Sequence, residues 1–136
     1  MQFVLRTGID LVEIERLARL RPEIRERFIH RVFTERELAD AHHSDASLCG
    51  RFAAKEAAAK ALGCGIGLIG WQDIEVVRGQ TGEPFLNLKG KALDIAQAKQ
   101  LELWSVSISH TKGYAVAVVI GIGGIGDILR SGENTA

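Results

Sequence analysis

Near the start of the chain, Phe3, Val4, Leu5, Thr7 and Ile9 alternate loosely with polar neighbours, which predicts a strand over Phe3 to Ile9. From Leu11 the apolar spacing turns helical. Leu11, Ile14, Leu17 and Ala18 share one side of a helix predicted to run to Leu20, with Asp10 capping it at the strand-to-helix junction. Pro22 breaks that helix and suits the first turn of another, in which Ile24, Phe28 and Val32 form an apolar stripe flanked by Arg27 and Arg31. Thr34 and Glu37 have the spacing of a capping box, and the polar run His42 to Leu48 reads as a loop with His42 and His43 solvated.

The central segment Arg51 to Leu62 is rich in alanine, leucine, lysine and glutamate and predicts a strong helix that ends at Gly63, where a left-handed cap belongs. Phe52, Glu56, Lys60 and Gly63 lie along one stripe of it, and alanines cover the other faces, so neighbouring backbones can approach closely. Taken alone, Glu56 and Lys60 also fit an exposed ion pair one turn apart. Trp71 to Arg78 and Phe85 to Leu88 predict a hairpin around Gly79 to Pro84, and Gly90 to Leu101 a short amphipathic helix. Leu103 to His110 and Tyr114 to Ile120 predict two more strands, the last so apolar that it belongs in the middle of a sheet.

Composition narrows the class. At 136 residues, 46% hydrophobic and net charge zero, the chain reads as one soluble domain over 1–120, followed by a glycine-rich segment, 121–136, expected to be a flexible tail. No apolar run approaches the roughly 20 residues that cross a bilayer, and Arg6 and Asp10 interrupt any export signal, so a cytoplasmic location is expected. Cys49 and Cys64 form no CxxC and are expected to be reduced thiols. From Arg16 to Arg36 seven arginines stand against three glutamates, a local excess of four positive charges that suits an acidic partner. The rest of the chain is neutral to acidic without a nucleic-acid-binding motif, which argues against nucleic acid. Two G-x-G-x-x-G matches, at 65–70 and 121–126, lack the surrounding strand, helix and βαβ unit of a dinucleotide site.

Gly8-Ile9-Asp10, Gly50-Arg51-Phe52-Ala53-Ala54-Lys55-Glu56-Ala57, Gly65-Ile66-Gly67, Gly82-Glu83-Pro84 and Ser107-Ile108-Ser109-His110-Thr111 occur in this order. Over Phe3 to Ile120 the chain resembles the small, stand-alone 4'-phosphopantetheinyl transferases. That resemblance implies an α+β fold, an antiparallel sheet packed against a long central helix in a single small domain, assembled as a homotrimer with active sites between subunits. It implies transfer of phosphopantetheine from coenzyme A to a serine of an apo acyl carrier protein, in fatty acid biosynthesis. Arg51, Lys60, Gly63, Pro84, His110 and Thr111 would then approach coenzyme A, and Arg16, Arg27, Phe28 and Arg31 would dock the carrier.

The chemistry suits these residue types. Displacement at phosphorus is catalysed by positioning and charge neutralisation. Mg²⁺, held by one or two carboxylates and otherwise by water and phosphate oxygens, fits that task, with Asp10 and Glu56 as its ligands and Lys60 as a point charge on the pyrophosphate. The serine belongs to the carrier, and its base is Glu35, a carboxylate on the metal, or a metal-bound water. The rival classes are a non-catalytic carrier-binding module and a metal-dependent nucleotide hydrolase. Retention of Asp10, Glu56 and Lys60 together disfavours the first, and the arginine-rich segment is unexplained by the second.

Overall fold

In the computed structural model of the protein, which describes residues 3–124, sheet and helix meet tightly at Gly8. A Cβ there would fall 1.8 Å from the carbonyl oxygen of Ala57, so only glycine fits. Gly8 belongs to β1 (Val4–Glu13) and Ala57 to α4 (Asp45–Leu62), the long helix on which the rest is packed. Ala53, Ala54, Ala57, Ala58, Ala59 and Ala61 of α4 are all essentially buried, and their small side chains are what allow the sheet backbone this near.

The sheet has order β1-β5-β4, with β4 (Leu101–His110) and β5 (Tyr114–Gly123) both antiparallel to their neighbours. β5 is the central strand, as its apolar run predicts, and it continues to Gly123 rather than stopping at Ile120. The remainder of the segment expected as a tail lies outside the described residues. A separate hairpin, β2 (Ile74–Arg78) and β3 (Pro84–Leu88), follows a 3₁₀ turn at Trp71–Asp73, and α5 (Gly90–Ala98) leads into β4. Between β1 and α4 lie α1 (Glu15–Ala18), α2 (Pro22–Val32) and α3 (Glu35–Ala41). Leu17, Ile29, Val32, Phe33 and Leu48 form a second apolar cluster beneath them.

Two sequence expectations are corrected. Asp10 does not cap a helix: β1 runs on to Glu13, Asp10 lies inside it opposite Ala117 of β5, and α1 is a single turn. The alternation of Gly8, Asp10 and Val12 toward α4 wins over the helical spacing of Leu11, Ile14 and Leu17, because β5 supplies a full ladder for this stretch. The segment before Arg51 is not all loop either. Ser44 accepts a hydrogen bond from the Ser47 amide and starts α4 at Asp45. The capping box of Thr34 and Glu37 forms as expected, and Gly63 closes α4 in the left-handed conformation at φ 75°.

Candidate functional site

β1 is an edge strand, and on its α4 side the chain gathers Asp10, Glu56 and Lys60. One turn of α4 separates Glu56 from Lys60, whose Nζ donates to the Ile9 carbonyl at 2.8 Å and lies 3.4 Å from Asp10 Oδ1. The Asp10 side chain is 20% exposed and that of Lys60 55%, so the cation bridges from solvent to a sheltered carboxylate. Desolvation and the charge of Asp10 push the Glu56 carboxyl above its ordinary range, with Lys60 opposing. Two neighbouring carboxylates, the charge of one raising the pKa of the other, form a donor set for a hard cation. Among the described residues no cluster of three or more His, Cys, Asp or Glu side chains is present. A metal at this edge would therefore take the rest of its shell from water and substrate oxygens, as Mg²⁺ characteristically does. The donor set fits Mg²⁺.

A polar cavity of about 260 Å³ opens on the β4 side of the molecule. Its walls are Ser44, Ser47 and Arg51 at the start of α4, Val76, Val77 and Arg78 of β2, Gly82, Pro84, Ile108 and His110. Arg51 is buried; its Nη1 donates to the Ser47 hydroxyl and to the Ser47 carbonyl at 3.4 Å, while its Nε–H has no partner among the described residues. Burial lowers the Arg51 pKa and nearby Arg78 lowers it further, against the pull of Asp40 and Glu37, yet a guanidinium remains charged. Two guanidiniums and a helix N-terminus, with no acidic side chain in the lining, suit a phosphate group.

These two places stand at opposite edges of one sheet. Asp10 is paired with Ala117, which is paired in turn with Ile108 in the cavity wall. Two strand spacings, roughly 10 Å, therefore separate them along the row. Of the remaining predicted donor-binding residues, Gly63 caps α4 beside Lys99, whose Nζ donates to the Leu62 carbonyl. Thr111 lies in the turn after β4, its hydroxyl oxygen accepting from the Gly113 and Tyr114 amides. Glu35 is exposed at the start of α3 and lines neither this cavity nor the next.

A second, apolar cavity of about 370 Å³ lies under α1 and α2, walled by Leu17, Leu20, Ile24, Phe28, Phe33, Leu48 and Phe52, with Glu13 and Arg16 as its charged members. Phe28 meets Phe52 at 5.5 Å between ring centroids, and Phe52 stacks on Trp71 at 5.0 Å. Arg27 and Arg31 are exposed on α2 next to Phe28 in the chain. The structure thus gathers Arg16 and Phe28 at one apolar opening beside a basic helix.

Sequence reasoning missed Ser44, Ser47 and Arg78 as cavity residues. Ser44 carried a local signal, since serine ahead of a helical run is an N-cap. Arg78 carried none, being one arginine at a strand end. The buried pair of Lys55 and Glu37, 2.7 Å apart at 0% exposure, was also hidden, since its members are far apart in the chain.

Comparison with known proteins adds a family. The model of the 4'-phosphopantetheinyl transferase superfamily matches residues 6–119. The holo-[acyl-carrier-protein] synthase of Herpetosiphon aurantiacus is 43% identical over 127 residues, covering 88% of this chain and 100% of the relative. That of Alkaliphilus metalliredigens is 46% identical, covering 83% and 94%. Among solved structures, Helicobacter pylori holo-[acyl-carrier-protein] synthase in complex with coenzyme A superposes with a TM-score of 0.77 at 32% identity, covering 85% of this chain and 98% of that one. The synthase of Bacillus anthracis, in complex with CoA (3',5'-ADP), superposes with a TM-score of 0.72 at 32% identity, covering 90% and 99%.

Proposed function

The chain belongs to the 4'-phosphopantetheinyl transferase superfamily, and we infer that it moves the 4'-phosphopantetheine group of coenzyme A to a serine of an apo acyl carrier protein, serving fatty acid synthesis. The observation that carries this reading is the edge of β1, where Asp10, Glu56 and Lys60 meet, in a chain that keeps a separate phosphate-type cavity at Arg51. In the reaction the serine oxygen forms a bond to the β-phosphorus of the donor, the bond from that phosphorus to the diphosphate's bridging oxygen breaks, and adenosine 3',5'-bisphosphate leaves.

Asp10 and Glu56 would hold Mg²⁺, which when bound neutralises charge on the diphosphate. Lys60 adds a point charge beside them and keeps Asp10 oriented. Arg51, Pro84 and His110 belong to the cavity that would take the nucleotide end of the donor, while Gly63 and Thr111, outside its lining, would meet the donor elsewhere along its length. Glu35 lines neither cavity of its own chain, and a carboxylate of the β1 edge would be the nearer acceptor for the serine proton.

Because the two half-sites face opposite edges, one donor molecule would be held between copies of the chain. The sheet face away from α4 supports such an assembly. It exposes Leu5, Ile9 and Leu11 of β1, Leu103 of β4 and Tyr114 and Ile120 of β5, each more than 40% accessible. So large an apolar patch suits an interface, and a homotrimer closes it by symmetry. Arg16, Arg27 and Arg31 around Phe28 would dock the acidic carrier. Among the described residues no helix is long and apolar enough to cross a membrane, which accords with a cytoplasmic enzyme.

The test is intact-mass analysis of an apo carrier incubated with the protein, coenzyme A and Mg²⁺. A gain of one phosphopantetheine, lost with EDTA and restored by Mg²⁺, is expected. An unmodified carrier in the presence of Mg²⁺ would refute the assignment, and full modification in EDTA would refute the metal.

A further inference from the structure

An outer strand edge normally offers unpaired amides and carbonyls to solvent or to another strand. The outer edge of β2 is instead bonded by side chains at two points. In an antiparallel pair alternate residues turn both backbone groups toward the partner, so when Glu75 and Val77 face β3, Ile74 and Val76 face away. The Ile74 carbonyl accepts from Lys55 Nζ, and the Val76 amide donates to Glu37 Oε2 at 3.0 Å. A side-chain ion pair thus takes the place of a neighbouring strand, supplying one donor and one acceptor in register.

The lysine has no spare donor. Lys55 spends its three N–H donors on Glu37 Oε1, the Trp71 carbonyl at 3.1 Å and Ile74. Glu37 also accepts the Thr34 amide at 3.0 Å, and the Thr34 hydroxyl donates onward to Glu75 Oε2 at 2.7 Å. Although Lys55 precedes Glu56 in the chain, it therefore has no proton left for a substrate phosphate. A buried ion pair is costly to desolvate, and apolar residues of the same volume would pack as well. They would not bond Ile74 and Val76.

What those bonds fix is the polar cavity. Val76, Val77 and Arg78 of β2 line it together with Ser47 and Arg51 of α4, the latter one turn before Lys55. We propose that the Glu37–Lys55 pair is a positioning element for donor binding, holding β2 at the height where Arg78 and Arg51 face each other across the cavity. The proposal rests on the reading that this cavity takes the nucleotide end of coenzyme A. It assigns the pair an effect on the donor and none on carrier docking, which lies at α2.

The test uses the full chain carrying the charge-neutral double substitution E37Q/K55M and, separately, E37D, which withdraws the carboxylate by one methylene. Calorimetry with coenzyme A and steady-state transfer are compared with wild type, after thermal melts establish folding. A rise of roughly tenfold or more in the coenzyme A Kd and KM is expected in either folded variant, with the carrier KM and the kcat at saturating donor within about twofold. Unchanged coenzyme A affinity in a folded variant would overturn the proposal, as would donor KM, carrier KM and kcat shifting together. Loss of folding in E37D would overturn it too, since the pair would then be a determinant of the fold at large. Failure of the wild-type protein to bind coenzyme A would instead remove the reading of the cavity on which the proposal stands.

Discussion

Lys60 and Asp10 come from opposite layers of the molecule, yet the ammonium of one lies 3.4 Å from the carboxylate of the other, anchored by a 2.8 Å bond to the Ile9 carbonyl. The contact is largely exposed on the lysine side, so it adds at most about 1 kcal/mol to stability. Its place beside Glu56 makes it a contact for charge that develops during transfer. Lys60→Met is expected to lower kcat by about 10² or more while the melting temperature stays within a few degrees of wild type. A kcat within threefold of wild type would show that the ammonium does not meet the reacting diphosphate.

A site divided between the two edges of a sheet can be tested by mixing. Asp10→Ala removes the carboxylate edge and Arg51→Met the phosphate cavity, and each protein alone is expected to be inactive. In a closed ring each interface combines one edge from each of two neighbours, so random mixed assemblies of the two variants restore about a quarter of the wild-type activity. No recovery after subunit exchange, followed by native mass spectrometry, would place both half-sites in one chain.

Much of this was readable from local pattern. The capping box at Thr34, the stop at Gly63 and the centrality of Tyr114 to Ile120 all follow from residues within a few positions of each other. The stretch from Asp10 to Leu20 was not, because Leu11 and Val12 are both apolar and satisfy a period of two and a helical one alike. β5, about a hundred residues later, decides between them by pairing with the whole of Val4–Glu13. Leu11 then points away from α4 at 63% exposure, where a helix would have buried it. The same limit applies to the site. Asp10, Glu56 and Lys60 were named from their motifs, but the roughly 10 Å that divides them from the Arg51 cavity is a property of strand order, which no motif encodes.

The basic helix makes a separate prediction. Arg16 borders the apolar opening that contains Phe28, and Arg27 projects from the adjacent helix. Charge reversal, Arg16→Glu or Arg27→Glu, is expected to raise the carrier KM roughly tenfold at low ionic strength and leave coenzyme A affinity unchanged. Added salt should weaken carrier binding by the wild-type protein more than by either variant, because the attraction being screened is already gone. An equal rise in the coenzyme A Kd would move these arginines from carrier to donor.

Glu75 supplies a pH-dependent term well away from the proposed metal ligands. Burial alone would raise its carboxyl pKa, but bonds from Thr34 and Asn87 and the charge of Lys89 outweigh it and hold the group below the usual 4.5. A carboxyl whose pKa is lower in the folded than in the unfolded chain stabilises the fold above the unfolded value, and this contribution disappears as pH falls through the folded value. Glu75→Gln is therefore expected to destabilise the protein at pH 7 by about 2 kcal/mol, a fall of roughly 5 °C in Tm. As pH falls through the folded value the two melting curves should converge, because protonation removes from wild type the charge that the substitution has already removed. A Tm difference that persisted undiminished down to the acid limit of folding would mean that Glu75 acts through packing, and that neither Lys89 nor the Thr34 hydroxyl depends on its charge.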